Sequence, residues 1–258
     1  MDYNALADSL ASWMSTEVEK AGLRGFVVGL SGGIDSAVTA ALSVRAVGTE
    51  NTFGVIMPCH SQGEDADYAA MLAQSLSLTP EVIDLTAACD AFEACLPEGP
   101  AMAHANIRPR MRMTTLYYIA QSRACLVAGT GNKPEMMVGY FTKYGDGGVD
   151  LEPLGELYKH EVRALARVLD IPEPIITRPP TAGLWPGQTD EGELGITYDE
   201  LDAILDALET GGPTSSLAST VARIQRMIAA SAHKRAVPPA FPVDRSQASG
   251  TRRSTERT

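Results

Sequence analysis

The chain lacks any long hydrophobic run. Its longest apolar stretches, such as Phe26 to Leu30 and Val55 to Met57, fall far short of the roughly 20 residues a membrane helix needs. The amino end does not read as a secretory leader either, because Asp2, Asp8, Glu17 and Glu19 interrupt it. The expected compartment is therefore the cytoplasm, with no membrane partner. Cysteine is scarce: Cys59, Cys89, Cys95 and Cys125 include no CxxC pair. That argues against a zinc ribbon or a redox dithiol and for reduced, mostly buried thiols. Positive charge is also in short supply, since 21 Lys and Arg face 32 Asp and Glu for a net charge of -11. Nucleic acid is thus not an expected partner, because binding it takes a basic face. An anionic ligand would require the few basic residues to be gathered in one place. Aromatics are only 6% of the chain, yet the hydrophobic share of 45% is enough for a sizeable core and excludes global disorder.

Hydrophobic patterning supplies the fold class. Leu6, Leu10, Trp13 and Val18 recur at helical spacing over residues 4 to 22, and Gly22 is a natural stop. Strands are expected at Phe26 to Leu30, Thr52 to Met57, Glu81 to Leu85 and Cys125 to Ala128. Helices are expected at Ala37 to Val47, Glu64 to Leu76, Ala87 to Leu96 and 107 to 124. Strands alternating with helices imply an α/β fold, a parallel sheet covered by helices on both faces, with ligands at the carboxyl ends of the strands. Residues 140 to 195 are rich in Gly and Pro around one helix, Glu156 to Leu169, the composition of a functional lid or of disorder. Further helices are expected at Tyr198 to Leu208 and Thr214 to Ser231. Residues 1 to 245 read as one domain and 246 to 258 as a disordered tail.

The strongest local feature is Gly29-Leu30-Ser31-Gly32-Gly33-Ile34-Asp35-Ser36, set between a strand and a helix. Glycines allow a sharp turn that brings backbone amides near a ligand, and the helix amino end adds partial positive charge. That is an anion cradle. No GKS or GKT ends it and it is not GxGxxG, which excludes the common triphosphate loop and the dinucleotide fingerprint. Asp35 beside a bound phosphate calls for an intervening cation, which makes it a natural magnesium ligand. A plain serine and glycine turn with Asp35 as helix cap fits the same spacing.

The segment SGGIDS resembles the pyrophosphate-binding loop of the ATP pyrophosphatase superfamily. Further segments narrow the resemblance: Gly129-Thr130-Gly131-Asn132-Lys133-Pro134-Glu135, then Gly139 to Asp150, Pro180-Thr181-Ala182-Gly183-Leu184, Thr189-Asp190-Glu191, Leu194 to Tyr198 and His233-Lys234-Arg235. In that order they are similar to the ammonia-dependent NAD synthetases. Many bacterial members have a His-Ala-Ala-Glu type segment where this chain has Asn132-Lys133-Pro134-Glu135, and the Gly-Asn-Lys form resembles archaeal-type members, as does Gly183 to Gln188. The resemblance implies an adenine nucleotide alpha hydrolase-like, Rossmann-like sandwich that converts deamido-NAD, ATP and ammonia to NAD, AMP and pyrophosphate through an adenylated nicotinate.

Carried over by position, it implies ATP contacts from Gly29, Leu30, Ser31, Gly32, Gly33, Ile34, Asp35, Ser36, Thr130, Lys159 and Thr181. It implies magnesium on Asp35 and Glu135, and deamido-NAD contacts from Arg110, Lys143, Asp150, His233 and Lys234. Asp35, Lys159 and Asp150 are the expected catalytic residues. The chemistry suits these types. Two carboxylates share a metal, Lys159 stabilises departing phosphate charge, and Arg110 and Lys143 meet an anionic substrate. Asp150 is suited to a ribose hydroxyl or to accepting a proton from the amine. Taken singly, Lys159 reads equally as part of a solvated helix face, Glu135 as a surface acid, Thr181 as a helix cap and His233 as a surface histidine. Cys59 lies on the nucleotide side but has no second cysteine placed to resolve a catalytic thiol. Two further expectations follow from the resemblance: a homodimer, to which the helix around Tyr117, Tyr118 and Ile119 would contribute, and free or partner-supplied ammonia, since 258 residues leave no room for a glutaminase domain.

Overall fold

The computed structural model describes residues 1–60, 63–181, 189–213 and 215–243. The expected tail from 246 and the segment Gly183 to Gln188 lie outside the described residues. Helix α1 (Tyr3–Ala21) is capped by Asp2, whose carboxylate accepts from the Asn4 and Ala5 N–H groups, and stops at left-handed Gly22. Strand β1 (Gly25–Gly29) then runs through the turn to α2 (Ile34–Val47), and β2 (Thr52–Ile56) is followed by α3 (Gly63–Ser75). Next come β3 (Glu81–Val82), α4 (Thr86–Glu93), α5 (Ala101–Ala105), α6 (Ile107–Arg123) and β4 (Cys125–Val127). Pro109 sits in the first turn of α6, where its missing N–H has no helical acceptor to lose.

All pairings are parallel, in the order β3-β2-β1-β4. Strand β1 is central and buried on both faces. Phe26 and Val28 pack with α1, α2 and α3 in one core cluster, while Val27 joins Val55, Val127 and Ile119 on the other face, with α4 and α6. This alternation is the period of two that strand geometry imposes. Because β2 lies on one side of β1 and β4 on the other, the loops after β1 and β4 flank the point where the strand order reverses. Open α/β sheets bind ligands there.

The rest of the chain builds over that end of the sheet. Leu151 adds one parallel bridge to Ala128 beside β4. Helices α7 (Lys133–Val138), α8 (Lys159–Val168), α9 (Glu173–Ile176), α10 (Asp190–Leu194), α11 (Tyr198–Thr210) and α12 (Ala218–Ser231) follow, then a 3-10 turn at Ala232–Lys234. Helix α8 joins the α1 and α2 side of the core. A third cluster, built on Val138, Leu194, Leu201, Ile204, Leu205 and Ile224, holds α7, α10, α11 and α12 together.

Several boundaries differ from expectation. The third strand is regular only over Glu81–Val82, although the Ile83 and Leu85 N–H groups still bond the Ile56 and Pro58 carbonyls before Asp84 accepts from the Thr86 N–H at the start of α4. The helix expected from Glu156 begins at Lys159. Extended Tyr158 is its N-cap, and the Glu161 carboxylate accepts from the Tyr158 N–H. The last long helix begins at Ala218, after Leu217 as N-cap.

Candidate active site

The loop after β1 is built as its sequence suggests, with one glycine carrying the conformational demand. Gly32 has φ +80, and a Cβ there would stand 2.6 Å from the Asp65 carbonyl oxygen. Ser31 Oγ accepts from the Gly33 N–H at 3.2 Å, and Ser36 Oγ donates to the Gly33 carbonyl at 2.9 Å. These two hydroxyls, 3.0 Å apart, hold the turn closed against the first residues of α2. Gly29 ends β1, Leu30 and Ile34 are buried beneath the turn, and Asp35 stands in the first turn of α2.

The loop after β4 carries Thr130, half-buried, into α7. Asn132 is the N-cap of that helix in a full capping box: its Oδ1 accepts from the Glu135 N–H at 3.2 Å, and Glu135 Oε2 accepts from the Asn132 N–H at 3.3 Å. Asn132 also reaches across, donating from Nδ2 to Asp35 Oδ1 at 2.9 Å. The two loops are thus joined by a single buried side chain.

Lys159, the first residue of α8, completes the arrangement. Its Nζ donates to Asp35 Oδ2 at 2.6 Å and to Glu135 Oε1 at 3.2 Å. The lysine side chain is 1% exposed and the carboxylates 19% and 15%, so the acids open toward solvent and the ammonium backs them from within. Burial alone would lower the Lys159 pKa; Asp35 and then Glu135 outweigh it and hold it above its ordinary value. Burial raises Glu135, with Lys159 opposing and Asp35 adding to the rise.

Three residues that sequence reasoning assigned no role belong to this cluster. Tyr198 is buried, its ring lies 4.6 Å from Lys159 Nζ, and its hydroxyl lies 2.9 Å from Glu135 Oε1 and 3.2 Å from Asp190 Oδ2. Asp190 also accepts from Tyr140 Oη at 3.2 Å. Burial raises Asp190, and the Lys159 charge and the two tyrosine hydrogen bonds pull it back. The available signal was positional, since Asn132, Asp190 and Tyr198 all stand inside the ordered motif segments.

A second group gathers basic residues. Arg110 on α6 donates to the Lys143 carbonyl at 3.4 Å, Lys143 Nζ donates to the His233 carbonyl at 2.7 Å, and Lys234 Nζ donates to the Gly139 and Phe141 carbonyls at 2.7 and 2.8 Å. Asp150 is exposed and accepts from Tyr117 Oη at 3.0 Å and from the Val127 N–H at 2.7 Å. Among the described residues no hydrogen bond links Asp150 to Asp35, Glu135 or Lys159. Thr181 is exposed and directly precedes the segment 182–188, which lies outside the described residues.

One expectation is corrected: Cys59 does have a second cysteine beside it. Cys89 on α4 makes a side-chain hydrogen bond with Cys59, and burial first, then that bond, raises its pKa. Both thiols are buried in the core cluster that includes Val55, Met57, Leu85 and Ile119. A raised pKa keeps Cys89 a thiol, the inert form.

A family model described as NAD synthase matches residues 6–238. The chain belongs to the NAD synthase family. It is 45% identical over 241 residues to the NH(3)-dependent NAD(+) synthetase of Archaeoglobus fulgidus, covering 93% of this chain and 97% of that one. Among solved structures, NMN synthetase from Francisella tularensis aligns with TM-score 0.86 and 37% identity over 93% of this chain and all 100% of that one. NH3-dependent NAD synthetase from Campylobacter jejuni, in complex with the nitrate ion, aligns with TM-score 0.82 and 31% identity over 94% and 100%. The parallel α/β sandwich of this NAD synthase family member is the fold of those neighbours.

Proposed function

We propose that this protein is an ammonia-dependent NAD synthetase. It adenylates the nicotinate carboxylate of deamido-NAD with ATP and transfers the acyl group to ammonia, yielding NAD, AMP and pyrophosphate. The observation that carries this reading is the Asp35–Lys159–Glu135 cluster, held at the reversal of strand order beside the Gly32 turn. A carboxylate resists ammonia because its leaving group is poor. When its oxygen attacks the α-phosphorus, the bond to pyrophosphate breaks, and ammonia then displaces AMP from the acyl carbon and loses a proton.

Each group of residues has a task in that sequence. The amino end of α2 and the turn before it would face the pyrophosphate as it gains charge, the Ser31 and Gly33 N–H groups being held within the turn by the Ser36 and Ser31 hydroxyls. Lys159, which Asp35 and Glu135 keep protonated, supplies the nearby positive charge. Asp35 Oδ2 and Glu135 Oε1 both bond one Lys159 Nζ, which holds the two part-exposed carboxylates side by side. That donor set fits magnesium, which takes one or two carboxylates and completes its shell with substrate phosphate and water. Bound there by Asp35 and Glu135, magnesium would neutralise triphosphate charge. Arg110, Lys143, His233 and Lys234 form the basic face for the anionic dinucleotide, which answers the question posed by a net charge of -11. The reading extends to a homodimer, with Tyr118 on α6, 75% exposed, as the natural contact.

One observation favours a second reading, the same chemistry on a mononucleotide, because a solved NMN synthetase shares 37% identity with this chain. The test is direct. Purified protein is given ATP, magnesium and ammonium with either deamido-NAD or nicotinate mononucleotide, and AMP, pyrophosphate and the amidated product are measured. Higher kcat/KM on deamido-NAD supports the proposal, higher kcat/KM on the mononucleotide replaces it, and neither AMP nor amide from either substrate refutes both.

A further inference from the structure

Glu152 stands where the mechanism above has no use for it. It follows Leu151, which bridges to Ala128 beside β4, and its carboxyl is wedged against the turn that carries Thr130. Oε2 accepts from the Gly131 N–H at 3.0 Å. The other oxygen, Oε1, is buried with no hydrogen-bond partner. A buried polar atom left unpaired is costly and rarely retained without a reason.

The neighbouring glycines show how tightly the carboxyl is placed. A Cβ on Gly129 would collide with Glu152 Oε2 and Cδ, and a Cβ on Gly131 would stand 3.3 Å from Oε1. Both glycines of Gly129-Thr130-Gly131 therefore leave room for this side chain. The turn is otherwise pinned at the Gly129 N–H by the Leu151 carbonyl at 2.8 Å and at the Gly129 carbonyl by Thr39 Oγ1 at 3.1 Å. Between Gly129 and the Asn132 cap, Glu152 supplies the anchor.

We propose that Glu152 is a positioning residue for the adenylation half-reaction, fixing the Gly129–Thr130–Gly131 turn so that Thr130 and the Asn132–Glu135 cap stand in register with Asp35. It acts through the turn. Burial first, then the charges of Glu135 and Asp146, push its carboxyl up to about 8 against the opposing Gly131 hydrogen bond. A neutral acid at this place makes glutamine its close mimic.

This inference rests on the adenylating reading of the site, and the experiment separates the two. Glu152→Leu removes the acceptor. ATP–pyrophosphate exchange in the presence of deamido-NAD should slow about tenfold, and KM for ATP should rise by about as much, while KM for deamido-NAD stays within about twofold. Glu152→Gln should restore both ATP readouts to near wild type. ATP affinity measured by calorimetry, which needs no turnover, should weaken about tenfold in Glu152→Leu. If Glu152→Leu does not fold, Glu152→Asp, with its carboxyl drawn back by one methylene, should show the same ATP-specific loss. Unchanged ATP binding and exchange would overturn the proposal, as would an equal rise in KM for both substrates or a glutamine variant as impaired as leucine. A wild-type protein that binds ATP but shows no exchange would instead overturn the adenylating reading, leaving the calorimetric comparison to decide the role of Glu152.

Discussion

Asn132 Nδ2 donates to Asp35 Oδ1 at 2.9 Å across 97 residues of chain, while its own Oδ1 caps the helix that presents Glu135. One amide thereby sets the positions of both carboxylates. Asn132→Ala should lose about 1 kcal/mol of stability from the missing cap, read by urea unfolding, and about 10- to 100-fold in kcat. Asn132→Ser restores a cap acceptor without reaching Asp35, so stability should return and activity should not. Recovery of both would show that only the helix cap matters.

Removing Lys159 exposes the carboxylate pair to itself. Lys159→Met should reduce kcat by at least about 10²-fold through loss of charge stabilisation. With the ammonium gone, the burial and the neighbouring Asp35 charge that raise the proton affinity of Glu135 in the folded state lose their main opponent. The folded variant then binds more protons than its unfolded chain, so its stability should fall as pH rises from about 5 to about 8, more steeply than in the wild type. The contribution of Lys159 itself is whole below about pH 10 and constant over that interval. Parallel unfolding free energies for the two proteins across that range would contradict the arrangement.

The second group should act on one substrate alone. Arg110→Ala and Lys143→Ala each remove a charge-assisted contact worth about 1.5–3 kcal/mol, which corresponds to roughly 10- to 100-fold in KM for deamido-NAD. KM for ATP should remain close to wild type. Initial-rate kinetics with each substrate varied in turn decide this, and an equal effect on both would mean that the two groups do not serve separate ligands.

Gly32 has no tolerable replacement. With φ +80 and the Asp65 carbonyl 2.6 Å from a new Cβ, Gly32→Ala should open the turn, raising KM for ATP by at least about tenfold and lowering stability by about 1–3 kcal/mol. Gly33 has ordinary φ and its nearest neighbour, Ser31 Oγ, at 3.4 Å, so Gly33→Ala should be milder on both counts. Reversal of that order would mean the turn is set by something other than Gly32.

Much of this was legible in the sequence, and for physical reasons. The strands β1, β2 and β4 and the helices α1, α2 and α6 carry apolar periodicity strong enough to place them. The Gly29 to Ser36 loop announced itself because the spacing of Gly, Ser and Asp at a strand-to-helix junction has few other uses. What periodicity could not find was short: α5, α7, α9 and α10 are each four to six residues, fewer than two turns, so no repeat can show. Helix α7 lay hidden inside a motif segment, although Asn132 three residues before Glu135 is a capping signature. Glu156 looked like a helix start because nothing local reveals that Tyr158 remains extended. The roles of Tyr198, Asp190 and Glu152 depend on contacts between distant segments, and the meeting of Cys59 with Cys89 likewise depends on α4 folding back over the end of β2.

The pairing of β1 with β4 has a consequence for how the protein comes into being. Phe26 stands opposite Leu126 in register, so the sheet cannot close on its central strand until a hundred further residues have been synthesised. Lys159 and Tyr198 arrive later still. Closing so long a loop is slow, and a nascent chain bearing the complete Gly32 turn has no counter-charge for Asp35 until that wait is over. The Asp35–Glu135–Lys159 cluster is thus assembled in full only after the growing chain has passed Tyr198.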